Sequence, residues 1–335
     1  MTFPGWPDEL ARARLHVVTG KGGTGKTTVA AALALALATG GRRTLLMEVE
    51  GRQGMAQLFD TPPLPYAERR IAVAPDGGEV KALAVDPEAA LLEYLAMFYN
   101  LGFAGRTLHR MGAVEFATTL APGLRDVLLT GKVMEATNRT EKGKHVYDAV
   151  VLDAPPTGRV VRFLDVTKAM ADLAKVGPIR NQSDRVVRLL HSADTVVHIV
   201  TLLEDLPVSE TLETVAELDA ADLRPGAVLV NRARPARLPN RSVTAAAGGW
   251  VDACRVRTGL LTAGLDLDPA VLDGLVTQAV EHAVRVELEQ QARTRLEEAG
   301  LPTLELPELH ETGVDGVDLG GIYELAELIL GWNAQ

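Results

Sequence analysis

The stretch that decides the fold reads Leu15-His16-Val17-Val18-Thr19-Gly20-Lys21-Gly22-Gly23-Thr24-Gly25-Lys26-Thr27-Thr28. An apolar, β-branched run enters a glycine-rich turn, and an Ala/Leu segment, Val29 to Ala38, follows it. Strand, loop and helix in that order are the setting in which G-x-x-x-x-G-K-[ST] holds a phosphate chain. Glycines let successive backbone N–H groups turn inward around an anion, and the helix adds the positive end of its dipole. On this reading Gly20, Gly22, Gly23, Thr24 and Gly25 form the cradle. Lys26 reaches the β- and γ-phosphates, Thr27 ligates Mg²⁺, and Thr28 completes the motif.

The same glycines also fit G-x-G-x-x-G, and Glu48 and Glu50 end the next strand, roughly where a dinucleotide fold keeps its ribose-binding carboxylate. A nicotinamide or flavin site is the rival. Lys26-Thr27-Thr28 argues against it, because a dinucleotide turn has no need of a lysine and hydroxyl ligands there. The bland alternative is a tight strand–helix turn with no ligand.

Working outward, short apolar runs recur at Leu15–Thr19, Thr44–Val49, Val80–Val85, Ala149–Leu152, Thr195–Thr201, Ala227–Val230 and Leu304–Leu306. Continuous apolar runs suit strands buried on both faces, and their alternation with helical patterns implies βαβ crossovers. The expected fold is α/β: a doubly wound, mostly parallel sheet forming a P-loop NTPase core. One such domain spans residues 1–335, with an α-helical subdomain inserted at about 88–144 and further helices at 160–190. No strand pattern appears between Pro87 and Lys144. Two more helices are expected, at about Val271–Ala299 and Ile322–Trp332.

Composition narrows the function. The 335 residues carry 34 Lys and Arg against 44 Asp and Glu, a net charge of −10, which gives nucleic-acid binding no general support. The 47% apolar fraction suits a globular chain. No apolar run approaches the roughly 20 residues of a membrane span, and the first residues lack the apolar core of an export signal. The chain therefore reads as cytoplasmic, with peripheral membrane contact left open. A single cysteine, Cys254, excludes an intrachain disulfide or Cys-x-x-Cys site. It reads as a small filler residue. None of the seven histidines has metal or triad spacing, and His191 and His198 read as structural.

A second buried strand ends at Asp153 and continues Ala154-Pro155-Pro156-Thr157-Gly158-Arg159. A carboxylate at a neighbouring strand tip is what a P-loop enzyme needs to support Mg²⁺, directly or through water. The turn after it suits a γ-phosphate sensor, which makes Asp153, Pro156, Thr157 and Gly158 a switch II element. This segment and the deviant loop G-K-G-G-x-G-K-T-T resemble the family that holds the arsenite-pump ATPase (ArsA-like) and the ATPase delivering tail-anchored membrane proteins. Leu45-Leu46-Met47, Val85-Asp86-Pro87-Glu88, Pro122-Gly123-Leu124, Asn231-Arg232 and Leu306-Pro307 extend the resemblance along the chain. It implies ATP and Mg²⁺ as ligands and a homodimer, or a heterodimer with a related ATPase. It also implies that Lys21 crosses the dimer interface to the partner's nucleotide, and that Asn231, Pro307 and Leu309 contact adenine.

Three departures qualify the resemblance. The family's switch I reads roughly S-T-D-P-A-H, its Asp orienting the attacking water; here the stretch is Glu48-Val49-Glu50-Gly51-Arg52-Gln53, so Glu50 takes that place with one extra methylene. Positioning dominates phosphoryl transfer, so slow hydrolysis is expected. Paired cysteines for an intersubunit zinc are missing, so no zinc is expected, and one cysteine cannot build an arsenite site. The chain resembles a zinc-free, actinobacterial-type branch whose ATPases occur as unlike pairs.

In the insertion, Met97, Phe98, Met111 and Phe116 suit an adaptable apolar groove for a hydrophobic transmembrane-segment client, or simply the packing of the helices themselves. The reading is an ATP-driven switch handling such segments. A regulatory or scaffold subunit with little hydrolysis is the alternative. An anion-pump subunit or a partitioning ATPase fits less well.

Overall fold

The computed structural model describes residues 6–99, 124–165, 178–235, 237–309 and 318–332. An eight-stranded sheet forms its centre, in the order β10-β9-β8-β1-β7-β2-β4-β3. The strands are β1 (Leu15–Gly20), β2 (Arg43–Glu48), β3 (Arg69–Val73), β4 (Glu79–Ala84), β7 (Ala149–Asp153), β8 (Thr195–Thr201), β9 (Pro225–Ala233) and β10 (Thr303–Pro307). Only β3 runs antiparallel to its neighbour. It lies at the sheet edge, and Arg69 and Arg70 are exposed, so no apolar run announces it. A separate two-stranded hairpin, β5 (Thr140–Glu141) and β6 (Lys144–His145), ends the stretch expected to hold helices alone. Four exposed polar residues carry no strand pattern.

Alternating side chains divide two apolar layers. Val18, Leu46 and Val151 face α2 (Lys26–Ala38), while Val17, Met47 and Leu152 face the opposite layer. Every side chain of α2 from Val29 to Ala38 is buried. A helix apolar on all sides is stable only inside, and α2 lies between the sheet and α12 (Leu319–Leu330). Trp6 joins the chain's two ends: its indole donates to the Ile329 carbonyl at 2.8 Å, and its ring meets Trp332 edge-on at 5.7 Å.

The opposite layer includes α5 (Leu124–Asn138), α6 (Thr157–Leu164) and α7 (Pro178–Leu190). Together with α4 (Pro87–Tyr99), these are the described helices of the expected helical segments. On the first flank, α1 (Asp8–Arg12) precedes β1 and α3 (Gly54–Leu58) follows β2. The chain continues through α8 (Asp205–Ala220), α9 (Asn240–Ala247) and α10 (Ala253–Thr262) to α11 (Pro269–Glu298). Cys254 is exposed in the first turn of α10, beside the capping Asp252, and so fills no core space. His198 does what a core histidine does. It is buried, with its Nε2 3.0 Å from His16 Nδ1, and its Nδ1 accepts from the Ala227 N–H. No described helix is long and apolar enough to cross a membrane.

Candidate functional site

The loop after β1 begins and ends on glycines that nothing larger replaces. A Cβ at Gly20 would stand 2.2 Å from the Val200 carbonyl oxygen. Gly25 has φ +86°, and a Cβ there would come within 2.3 Å of Asn231 Nδ2. That approach has a purpose: Asn231, buried on β9, donates from Nδ2 to the Thr24 carbonyl at 2.9 Å. Thr24 in turn donates its hydroxyl to the Lys21 carbonyl at 2.9 Å. Gly22 and Gly23 lie exposed at the tip, Thr28 is half-buried, and α2 begins at Lys26.

Asp153 is aligned with Val18 on one side and with Glu48 on the other. The Thr27 hydroxyl donates to Asp153 Oδ2 at 2.6 Å. Burial drives the Asp153 carboxyl up to about 6, and Glu48 and Glu50 add to the rise against the pull of Thr27 and Lys26. Burial likewise lowers the Lys26 ammonium, opposed by Asp153 and Glu50. Because the Thr27 hydroxyl directs its hydrogen to Asp153, its oxygen lone pairs remain available to a cation. One hydroxyl and a nearby carboxylate, with phosphate oxygens and water completing the shell, suit Mg²⁺. Among the described residues no group of three or more His, Cys, Asp or Glu could hold a metal by itself. Both carboxylate oxygens of Glu48 are buried without a hydrogen-bond partner, which also fits a cation nearby.

The segment after Asp153 is fastened on two sides. The Thr19 hydroxyl donates to the Pro155 carbonyl at 2.7 Å, and the Ala154 N–H donates to Val18 at 2.9 Å. Pro156 precedes α6, whose first residue, Thr157, is buried and donates to Glu210 Oε2 at 3.1 Å; open space surrounds Gly158. The other oxygen of Glu210 holds Lys21 Nζ at 2.6 Å. Sequence reading missed Glu210, an acidic residue in the exposed pattern of α8 with no motif around it.

Glu50 lies at the mouth of the site with its side chain 15% exposed. Arg159 approaches one of its oxygens at 3.4 Å and Arg52 the other at 3.4 Å. Both arginines are largely exposed, so each contact is weak.

A cavity of about 740 Å³ opens beside Asn231, between β9 and α11. Arg232, Arg234, Arg285 and Arg295 line it together with Glu289 and Glu308. Arg234 grips Glu308 through two bonds of 2.6 and 2.8 Å. Pro307 is half-buried in β10, and Leu309 packs against the α2-side core, so Glu308 between them faces the cavity. Met97 and Phe98 belong to α4, but their side chains lie outside the described residues, as do Met111 and Phe116 altogether.

Residues 13–193 match the family model for anion-transporting ATPases. The sequence is 61% identical to ATPase BagA of Mycobacterium tuberculosis over 324 residues, covering 96% of this chain and 94% of that protein. It is 26% identical to ATPase GET3 of Kluyveromyces lactis over 250 residues, 64% of this chain and 70% of the relative. The arsenical pump-driving ATPase of Escherichia coli is also 26% identical, over 249 residues that make up 68% of this chain and 41% of that one.

Proposed function

The chain belongs to the anion-transporting ATPase family, and on that premise we propose that it is an ATP-binding and hydrolysing switch of a dimer that captures or delivers hydrophobic membrane-protein segments. The observation that carries the nucleotide half of this reading is the 2.6 Å Thr27–Asp153 bond, set beside buried Lys26 at the strand tips. The loop N–H groups from Gly20 to Thr28 and the Lys26 ammonium bind the triphosphate. Thr27 and Asp153 hold Mg²⁺, the latter through water. Mg²⁺ held there would supply charge neutralisation at the phosphate oxygens.

Glu50 positions the attacking water, which first requires it to leave Arg52 and Arg159. Lys21 leaves Glu210 and adds positive charge at the partner's nucleotide across the dimer. Asn231 fixes the loop and meets the adenine side, with Pro307 and Leu309 on the neighbouring loop. Thr157 and Gly158 transmit the γ-phosphate's presence to α6 and the helical segments around α4. There Met97, Phe98, Met111 and Phe116 form the client surface.

The engagement of Glu50 by two arginines supports a second reading, a regulatory or scaffold subunit of an unlike pair that binds ATP and hardly turns it over. Single-turnover assays on Glu50→Asp separate the two: a large rate gain means a detuned native site, and a further loss means Glu50 already works. Lys26→Ala should abolish Mg-dependent ATP turnover by the purified, correctly paired complex; unchanged turnover would sink the enzyme reading. For the client, polar substitutions at Met97 or Phe98 should reduce capture of an apolar helical peptide, and undiminished capture counts against that surface.

A further inference from the structure

Glu48 has no role in the switch described above, yet its side chain is buried at the same strand tips. It is 3% exposed, and neither side-chain oxygen has a hydrogen-bond partner. Burying a carboxyl group without a donor is costly to the fold. Such a group is retained where something else uses it.

Its position states what that is. Glu48 is the last residue of β2 and pairs in register with Asp153, the last residue of β7. Registered residues of parallel strands point to the same face. Two residues earlier, Leu46 and Val151 pack in the α2-side layer, whereas Met47 and Leu152 pack in the opposite one. Glu48 and Asp153 therefore share the face on which α2 begins with Lys26 and Thr27, and Glu48 helps raise the Asp153 carboxyl. The start of α3 closes this corner: a Cβ on Gly54 would stand 3.3 Å from Thr27 Cγ2. The Thr27 hydroxyl on this face is already committed to Asp153.

We infer that Glu48 is a further residue of the metal site, accepting hydrogen bonds from water bound to the Mg²⁺ that Thr27 and Asp153 hold. This rests on the nucleotide reading above. Mg²⁺ sheds its waters reluctantly and keeps several, and their protons need acceptors. An acceptor that orients bound water is worth about 10- to 100-fold in metal affinity. Glu48 supplies one on the β2 side, and with it a second negative charge.

The test measures metal, not turnover. Full-length protein saturated with a non-hydrolysable ATP analogue is titrated with Mn²⁺, and free Mn²⁺ is followed by its paramagnetic resonance signal. Affinity for a fluorescent ATP analogue in EDTA is measured in parallel. Glu48→Gln should weaken Mn²⁺ binding about 10-fold or more, leave nucleotide affinity in EDTA unchanged, and raise the thermal midpoint of the metal-free protein. Glu48→Asp, which keeps the charge, should restore part of the Mn²⁺ affinity. Glu48→Ala is a second neutral replacement with the same expectation for Mn²⁺ if the amide folds poorly. Unchanged Mn²⁺ affinity in the neutral variants, with nucleotide still bound, overturns the role of Glu48 alone. Failure of the wild-type protein to bind the nucleotide overturns this inference together with the reading it rests on.

Discussion

Lys21 and Glu210 form a 2.6 Å ion pair in which the carboxylate's second oxygen also accepts from Thr157. One side chain on α8 thus ties the Gly20–Thr28 loop to the first turn of α6. The partners are 26% and 31% exposed, so the pair itself contributes at most about 1 kcal/mol to stability. Its effect is on position, because a lysine held within its own chain is not available to a neighbour. Glu210→Gln should leave the thermal midpoint within a few degrees and strengthen ATP-dependent association, read by sedimentation of the nucleotide-bound protein. Association no stronger than wild type would mean that Lys21 is not restrained by Glu210 in any way that matters to pairing.

Burial makes the Asp153 carboxylate costly to the nucleotide-free fold. Its folded-state pKa is raised to about 6, first by burial and further by Glu48 and Glu50. The folded state therefore holds the proton more tightly than the unfolded chain. Stability is lost as pH rises from about 4 to about 6, and the loss persists above that window. Asp153→Asn should raise the stability of the nucleotide-free protein at pH 7.5 by ~1–3 kcal/mol, measured by urea unfolding. The same variant should lose the extra stabilisation that Mg-ATP confers on wild type. A destabilised, nucleotide-free Asn variant would contradict the burial argument.

The strands were legible wherever they are buried on both faces, because such strands must be continuously apolar. Thr44–Val49 and Thr195–Thr201 announce β2 and β8 for this reason. The edge strand β3 has only Ala72 buried, and the residues Arg69-Arg70 that open it match no strand pattern. The Gly20–Thr28 loop was legible because its chemistry is local to one turn. Glu210 and Glu48 were not, since their meaning depends on what the fold brings near them. Glu210 lies 189 residues from Lys21. In sequence Glu48 stands only where a dinucleotide fold would keep its ribose-binding carboxylate, and its register with Asp153 appears only in the fold. Cys254 misled in the opposite direction: an Ala/Gly-rich neighbourhood suggests packing, but Asp252 caps a surface helix there.

The buried histidines make the core acid-sensitive. His198 Nδ1 accepts from Ala227, so its Nε2 carries the proton donated to His16 Nδ1, and His16 Nε2 donates to the Ala13 carbonyl. Both rings must be neutral for this chain of bonds. Burial, with a smaller push from Arg42, lowers His16 to about 4, and burial and His16 lower His198 well below its usual range. Below about pH 6.5 the unfolded chain takes up protons that the folded one refuses, so stability falls as pH drops from about 6.5 toward 4. His16→Leu should cost ~1–3 kcal/mol at pH 7.5 by leaving His198 Nε2 unpaired. It should also flatten the difference in unfolding free energy between pH 7 and pH 5. An equally steep difference in the variant would assign the acid sensitivity elsewhere.

Gly25 and Asn231 test whether the loop is shaped by backbone conformation, by close approach, or by both. At φ +86° a residue with a Cβ costs ~1–2 kcal/mol whatever its surroundings. The 2.3 Å approach of Asn231 Nδ2 adds a clash that exists only while the amide is present. Asn231→Ala alone should cost ~0.5–1.5 kcal/mol through the lost bond to Thr24 and weaken ATP binding several-fold. Gly25→Ala should destabilise more and remove measurable ATP binding. If both effects operate, the double variant is less destabilised than the sum of the singles, by about 0.5–3 kcal/mol. That margin is the part of the glycine requirement imposed by Asn231. A strictly additive cycle would assign the whole requirement to the left-handed backbone and leave Asn231 as a tether alone.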